Sequence, residues 1–249
     1  MSRVIIFDFD DTLVETTGVF NIARADFCRR MHDLGISIPG LEHLVDELDV
    51  KNVKEAGYFA AHCFPTALRE AYEHCCRVNR IQVQDHIRSE VEGLGWSVFH
   101  QKPSTIDHAH NVLEHLQKHY PLVLLTKGEQ DFQKRRIEES GLKGYFSETI
   151  IVGDKNRELF QGLIQSLKVI PADSWSVGNS VKSDINPALQ AGFKAIHFAG
   201  TTWHYEYAEP IGSHHKADSL LEVKEIILGK SGQASQADEA EEIIGRAEE

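Results

Sequence analysis

No stretch of this chain approaches the roughly 20 consecutive apolar residues that a membrane-crossing helix needs. Positive charge is the scarcer sign: 26 Lys and Arg stand against 38 Asp and Glu, for a formal charge of −12. That balance argues against nucleic acid and against anionic membrane surfaces as partners, because both are bound through basic patches. It also repels phosphorylated ligands at long range, so an anionic substrate needs a local lysine, a metal or backbone N–H groups. Cysteine is sparse. Cys28, Cys63, Cys75 and Cys76 lack zinc-ligand spacing, and the adjacent Cys75-Cys76 makes a poor disulfide framework. They read as free thiols in a reducing compartment. Met1 leads almost directly into an apolar strand with no signal-peptide pattern, so the expected location is cytoplasmic. Histidine, by contrast, is plentiful at 14 residues. His115 and His119 lie four apart with His108 and His110 nearby, but no cysteine or carboxylate completes a ligand set. These histidines read as a polar helix face.

At 249 residues and 41% hydrophobic content, the chain is long enough for two domains, or for one domain with an insertion. Val4-Ile5-Ile6-Phe7 reads as a buried parallel strand and runs into Asp8-Phe9-Asp10-Asp11-Thr12. Carboxylates at the end of such a strand sit where open α/β sheets bind ligands. Asp8 and Asp10 would point to opposite faces of a continuing strand, but converge once the chain curls. Packing gains nothing from three carboxylates beside an apolar strand, and unpaired buried charge is costly. The cluster suggests a cation and oxygen chemistry; a solvated acidic turn is the bland alternative.

Further strand-like segments follow. Leu122–Leu125 ends at Thr126, Thr149–Val152 at Gly153-Asp154-Lys155, Trp175–Val177 at Gly178-Asn179, and Ala195–Phe198 at Ala199-Gly200. Between them run helical faces such as Ala109, Val112, Leu113, Leu116 and Ile185, Ala188, Leu189. The alternation predicts an α/β fold, a doubly wound, Rossmann-like parallel sheet with helices on both sides. Residues 16–103 differ: Phe20, Ala23, Phe27, Met31, then Leu68, Ala71, Tyr72, Cys75, then Ile87, Val91, Leu94 form helical faces without a convincing strand. This predicts an inserted all-helical cap of four or five helices over residues 16–103. The catalytic core would comprise 1–15 and 104–228, with a flexible acidic tail over 229–249 and a short helix near 237–247. Inserted straight after the first strand, such a module returns over that strand's end and can act as a lid.

The polar strand ends fit one chemistry. Asp8 is suited to attack phosphorus. Asp10 can protonate a leaving oxygen and later deprotonate water. Thr126 offers a hydroxyl, and the Lys127-Gly128 turn opens a helix whose N–H groups can hold phosphate oxygens. Lys155 supplies fixed positive charge between carboxylate and phosphate. Asn179 and Asp184 add oxygens suited to Mg²⁺. Each has a plainer reading: an ordinary turn, a surface lysine, or Asp184 capping the next helix. Their order at successive strand ends is what makes the set informative.

On these residues the chain resembles the haloacid dehalogenase-like hydrolase superfamily. Asp8, Asp10 and Thr12 match its D-x-D-x-T motif, and LLTKG with Thr126 matches the second. Lys155 in VGDKN matches the third, and VGNSVKSD with Asn179 and Asp184 the fourth. The resemblance spans residues 4 to about 200. It implies that Asp8 is the nucleophile, Asp10 the general acid/base, and Thr126 and Lys155 the phosphate holders. It also implies Mg²⁺ as cofactor, held by Asp8, the backbone carbonyl of Asp10 and a fourth-motif side chain. Asn179 departs from the usual Asp, which points to weaker Mg²⁺ binding and a larger share for Asp184. The function so implied is a Mg²⁺-dependent phosphatase acting on a small phosphorylated metabolite through an aspartyl-phosphate.

Rivals within the superfamily are a phosphomutase, a dehalogenase, which would lack the acid at Asp10, and a phosphonatase using a lysine such as Lys51 or Lys54. A non-catalytic binding protein would be expected to lose Asp8, Asp10 or Lys155. Beyond the motifs, Trp203, His204 and Glu206 sit in a rim loop that touches substrate or packs its aromatic residues on the cap. His62, Arg69 and Arg77 of the insertion are candidates for a substrate's polar end.

Overall fold

The three-residue strand β1 (Ile5–Phe7) is buried on both faces and forms the centre of the sheet. The computed structural model describes residues 2–201, 203 and 206–229. Around β1 lie β2 (Leu122–Lys127), β3 (Glu148–Val152), β4 (Trp175–Gly178), β5 (Lys194–Phe198) and β6 (His215–Ala217). All pair in parallel, in the order β3-β2-β1-β4-β5-β6. The order reverses at β1, so the crevice of this open sheet lies at the carboxyl ends of β1 and β4.

Alternation along the strands builds two apolar layers. Ile5, Phe7, Leu122, Leu124 and Val177 face one side, which is covered by α5 (Ala109–Leu116) and α9 (Leu220–Leu228). Val4, Ile6, Val123 and Leu125 face the other. There Phe160 and Leu163 of α7 (Arg157–Ser166) and Ala188 of α8 (Asn186–Gln190) close over them. The remaining core helix is α6 (Gln130–Glu139). The expected doubly wound α/β sheet is present. The strand that sequence reading did not anticipate is β6: His-Lys-Ala buries only Ala217, so this edge strand has no apolar pattern.

Between β1 and the core helix α5, which leads into β2, the chain forms a bundle of four α-helices: α1 (Thr17–Asp33), α2 (Leu41–Ala56), α3 (Cys63–Asn79) and α4 (Asp85–Ser97). A 3₁₀ turn, Val98–His100, follows them. The anticipated faces form a separate core, in which Phe27, Met31, Leu68, Ala71, Cys75 and Val91 are fully enclosed. The chain enters and leaves this bundle through two adjacent linkers. Glu15 N donates to Ser104 O at 2.8 Å, Ile106 N donates to Leu13 O at 2.9 Å, and Val14 bridges Thr105. The four cysteines are all free. Among the described residues, no helix is long and apolar enough to cross a membrane. The expected tail and its helix at 237–247 lie outside the described residues.

Candidate active site

Asp8 follows the last residue of β1, and its N–H still donates to Val177 O of β4 at 2.9 Å. Phe9 then turns into the core, fully buried, so Asp8 and Asp10 both line the cleft at the crevice. The convergence expected from the sequence is achieved by ending the strand early. The third carboxylate has a different task. Asp11 accepts the N–H groups of Thr16 and Thr17 at 2.9 Å, meeting donors at the start of α1.

Lys155, after β3, is buried between two carboxylates. Its Nζ lies 2.5 Å from Asp8 Oδ1 and 2.7 Å from Asp184 Oδ1. Burial alone would lower the lysine's pKa, but the two carboxylates outweigh it and raise it. Burial lifts Asp8 well above the usual carboxylate range despite Lys155, and Asp184 and Asp10 add to the rise. Two carboxylates share one ammonium, which leaves a buried negative charge uncompensated. Thr12 Oγ1 donates to Asp8 Oδ2 at 3.1 Å and lies 3.4 Å from Asn179 Oδ1. Asn179 Nδ2 donates to Thr201 O at 2.7 Å, which turns its oxygen toward Thr12 and Asp8.

Asp184 does not cap a helix. It sits within a single π-helical turn, Val181–Ile185, where Ser180 provides the cap by accepting Ser183 N–H at 3.0 Å. The Asp184 carboxylate folds back to accept Ser180 N–H at 3.0 Å and passes directly over Gly178. A Cβ at Gly178 would lie 2.3 Å from the Asp184 carboxyl, so this strand end requires glycine.

Thr126, at the end of β2, is fully buried, and its hydroxyl lies 3.3 Å from Asp10 Oδ2. Gln133 Nε2 reaches Asp10 Oδ2 at 2.7 Å and Thr126 Oγ1 at 2.8 Å. Arg136 pairs with Asp10 Oδ1, while Thr16 Oγ1 donates to the same oxygen at 2.7 Å. Burial would raise the Asp10 pKa, but the Arg136 guanidinium and the bonds from Thr16, Arg136 and Gln133 hold it below the usual range. Sequence reading missed Gln133 and Arg136. One signal was available: α6 reads QDFQKRRIEE, and its buried positions are Gln133 and Ile137, so its inner face is half polar.

The Lys127-Gly128 turn corrects an expectation. Gly128 N–H donates to Val152 O at 3.0 Å, closing the β2–β3 ladder, so this amide is spent inside the protein. The glycine itself is required: its φ is +139°, and a Cβ would come within 2.9 Å of Gln133 Cγ. Lys127 Nζ is held at 2.6 Å by Glu206 and at 2.9 Å by Ser183 Oγ. Glu206 also accepts from Ser180 Oγ at 2.8 Å and from Ser183 Oγ. Burial would raise the Glu206 pKa; Lys127 and the serine hydroxyls hold it low.

In the rim loop, Trp203 packs edge-on against Phe20 of α1 at 5.2 Å and lines the cleft, while His204 lies outside the described residues. Among the described lining residues are none of His62, Arg69, Arg77, Lys51 or Lys54. Among the described residues, no group of three or more His, Cys, Asp or Glu is arranged to hold a metal, His115 and His119 included.

Comparison with known proteins identifies the family. The sequence model of the haloacid dehalogenase-like hydrolases, a hydrolase family, matches residues 2–192. N-acylneuraminate-9-phosphatase of Mus musculus is 24% identical over 231 residues, covering 90% of this chain and 93% of that protein. Glyceraldehyde 3-phosphate phosphatase of Pyrococcus abyssi is 26% identical over 208 residues, covering 80% and 82%. The crystal structure of a haloacid dehalogenase-like family hydrolase from Xanthomonas campestris superposes with a TM-score of 0.75 at 19% identity, covering 94% of this chain and 98% of that one. At that identity the structural likeness bears on the fold alone.

Proposed function

The chain belongs to the haloacid dehalogenase-like hydrolases, and on that premise we propose that it is a Mg²⁺-dependent phosphatase. Its substrate is a small phosphorylated metabolite, and the reaction passes through an aspartyl-phosphate on Asp8. The observation that carries the reading is the Lys155 ammonium held 2.5 Å from Asp8 and 2.7 Å from Asp184 at the switch point of the sheet. A carboxylate can attack an anionic phosphoryl group only where fixed positive charge offsets their repulsion. Two relatives bear phosphatase names for which the substrate is a phosphate monoester, and this supports the same class.

The donor set fits a hard divalent cation. Asp8, Asp184 and Asn179 present oxygen, the Asn179 amide is oriented with its oxygen inward, and the site carries an uncompensated negative charge. Asp8, the Asp10 backbone carbonyl and Asn179 would hold Mg²⁺, with Asp184 contributing directly or through water. When bound, the ion supplies charge neutralisation at the transferring phosphoryl group.

An Asp8 oxygen attacks phosphorus as the bond to the leaving alcohol breaks, and Asp10 gives its proton to the departing oxygen. Asp10, now ionised, takes a proton from water; the water oxygen attacks phosphorus and frees Asp8 and inorganic phosphate. Arg136, Gln133 and Thr16 hold Asp10 in the carboxylate form that the second step needs, so the first step requires its release from Arg136. Thr126 and Lys155 hold phosphoryl oxygens. The bundle over residues 16–103 acts as the cap. The four free cysteines support a reducing, cytoplasmic location.

The test is phosphate release from a panel of phosphorylated sugars, nucleotides and small acids, with Mg²⁺ and with EDTA. Metal-dependent release is expected; release that is indifferent to EDTA contradicts the metal assignment.

A further inference from the structure

Away from its carboxylates the cleft is walled by aromatic rings from both halves of the molecule. Phe20 of α1, Phe59 of the α2–α3 connection and Phe99 of the 3₁₀ turn come from the bundle. Phe132 of α6 and Trp203 of the rim loop come from the core. The rings form one chain of contacts. Phe59 lies 6.0 Å from Trp203, Trp203 lies 5.2 Å from Phe20, Phe20 lies 5.7 Å from Phe99, and Phe99 lies 5.3 Å from Phe132. Three of these contacts are edge-to-face, at 68°, 84° and 89°, and the fourth is tilted. Such an arrangement favours aromatic neighbours and offers an incoming ring both faces and edges.

Several polar groups of the same cleft are already paired with one another. Arg136 and Gln133 bind Asp10. Lys127 binds Glu206 and Ser183. Glu129 accepts the Ala61 N–H across the gap between core and bundle at 3.2 Å. Glu15, Gln101 and Lys102 line the cleft but are exposed. A polyhydroxylated alcohol seated against the rings would exchange water for ring carbons, leaving the hydroxyls that face the aromatic wall without partners.

We propose that the substrate's alcohol portion is an apolar body, aromatic or alicyclic, seated against Phe20, Phe59, Phe99, Phe132 and Trp203. The inference rests on the phosphatase reading of the site. It departs from the sugar-acid and triose phosphates in the names of the relatives. Because the wall is assembled from both the bundle and the core, Trp203 and Phe59 are specificity-determining residues: each contributes a ring to the contact between the two halves.

The experiment compares kcat/KM for 2-phenylethyl phosphate, glycerol phosphate, glyceraldehyde 3-phosphate and N-acylneuraminate 9-phosphate. The activated ester p-nitrophenyl phosphate serves as control. Phenylethanol is no better a leaving group than glycerol, so a preference for its ester reports binding. We expect that preference to be about tenfold or more, the scale of apolar-pocket discrimination. Trp203→Ala and Phe59→Leu should each shrink the ratio about fivefold, with circular dichroism confirming that the variants are folded. Preference for a polyol or sugar-acid phosphate, or a ratio unchanged in both variants, overturns the inference while leaving the phosphatase reading intact. No release even from p-nitrophenyl phosphate overturns both.

Discussion

Lys127 and Glu206, 79 positions apart, meet at 2.6 Å in the cleft that Asp8, Asp10 and Asp184 line. The pair joins the end of β2 to the rim loop, and through Ser180 and Ser183 to the π-helical turn that carries Asp184. Glu206 is buried, so removing its charge strands a half-buried ammonium. Breaking one side of a buried pair costs about 3–5 kcal/mol. With Lys127 still 23% exposed, Glu206→Gln should cost about 2–3 kcal/mol by urea unfolding. Combining it with Lys127→Met should recover part of that loss; purely additive losses would mean that the pair is not coupled.

Arg136 sets the proton affinity of Asp10. Its guanidinium keeps the Asp10 pKa low against burial, so its removal lets that pKa rise. In the proposed mechanism ionised Asp10 is the base of the second step. In Arg136→Met the acidic limb of the kcat profile is therefore expected to move to higher pH. A limb that stays in place would show that Asp10 is not the group titrating there.

In the proposed metal site Asn179 puts a neutral oxygen where a carboxylate would bind Mg²⁺ more strongly. Asn179→Asp should lower the Mg²⁺ concentration for half-maximal activation by about tenfold, equivalent to roughly 1.4 kcal/mol. Activation curves that superimpose would remove Asn179 from the metal site.

Asp49 of α2 is buried at 2% exposure, and among the described residues its Oδ1 finds no donor. Burial raises its pKa from 3.8 to about 7, with Arg24 opposing and Asp46 adding. A carboxyl raised on folding destabilises the protein fully above its folded pKa, and the penalty fades as pH falls from 7 toward 4. Asp49→Asn should therefore raise Tm at pH 8 by several degrees, at about 2–4 °C per kcal/mol for a chain of this size. At pH 4, where the penalty has largely faded, it should change Tm little. Equal shifts at pH 8 and pH 4 would contradict this.

Much of the architecture was legible because it is written in burial. Val4–Phe7 and Leu122–Leu125 are apolar on both faces, as only an enclosed parallel strand requires. The helical faces at Phe27 and Leu68 mark the bundle equally well. Asp8, Asp10, Lys155 and Asp184 could be read because charge at the end of an apolar strand has no packing role. β6 could not, since an edge strand of His-Lys-Ala has no apolar period. Arg136 and Gln133 were hidden for another reason, as was the pairing of the rim-loop residue Glu206 with Lys127. Each acts through a partner far away in sequence, and no local spacing reveals a contact between Arg136 and Asp10, 126 positions apart.

The central claim is that Asp8 carries the phosphoryl group. The most direct measurement is an acid quench during turnover of p-nitrophenyl phosphate with Mg²⁺, followed by borohydride reduction and mass spectrometry of the Asp8 peptide. The account predicts homoserine at position 8 in the wild type, with turnover in Asp8→Asn reduced by about a thousandfold or more. An unmodified Asp8 peptide together with sustained turnover in Asp8→Asn would contradict it.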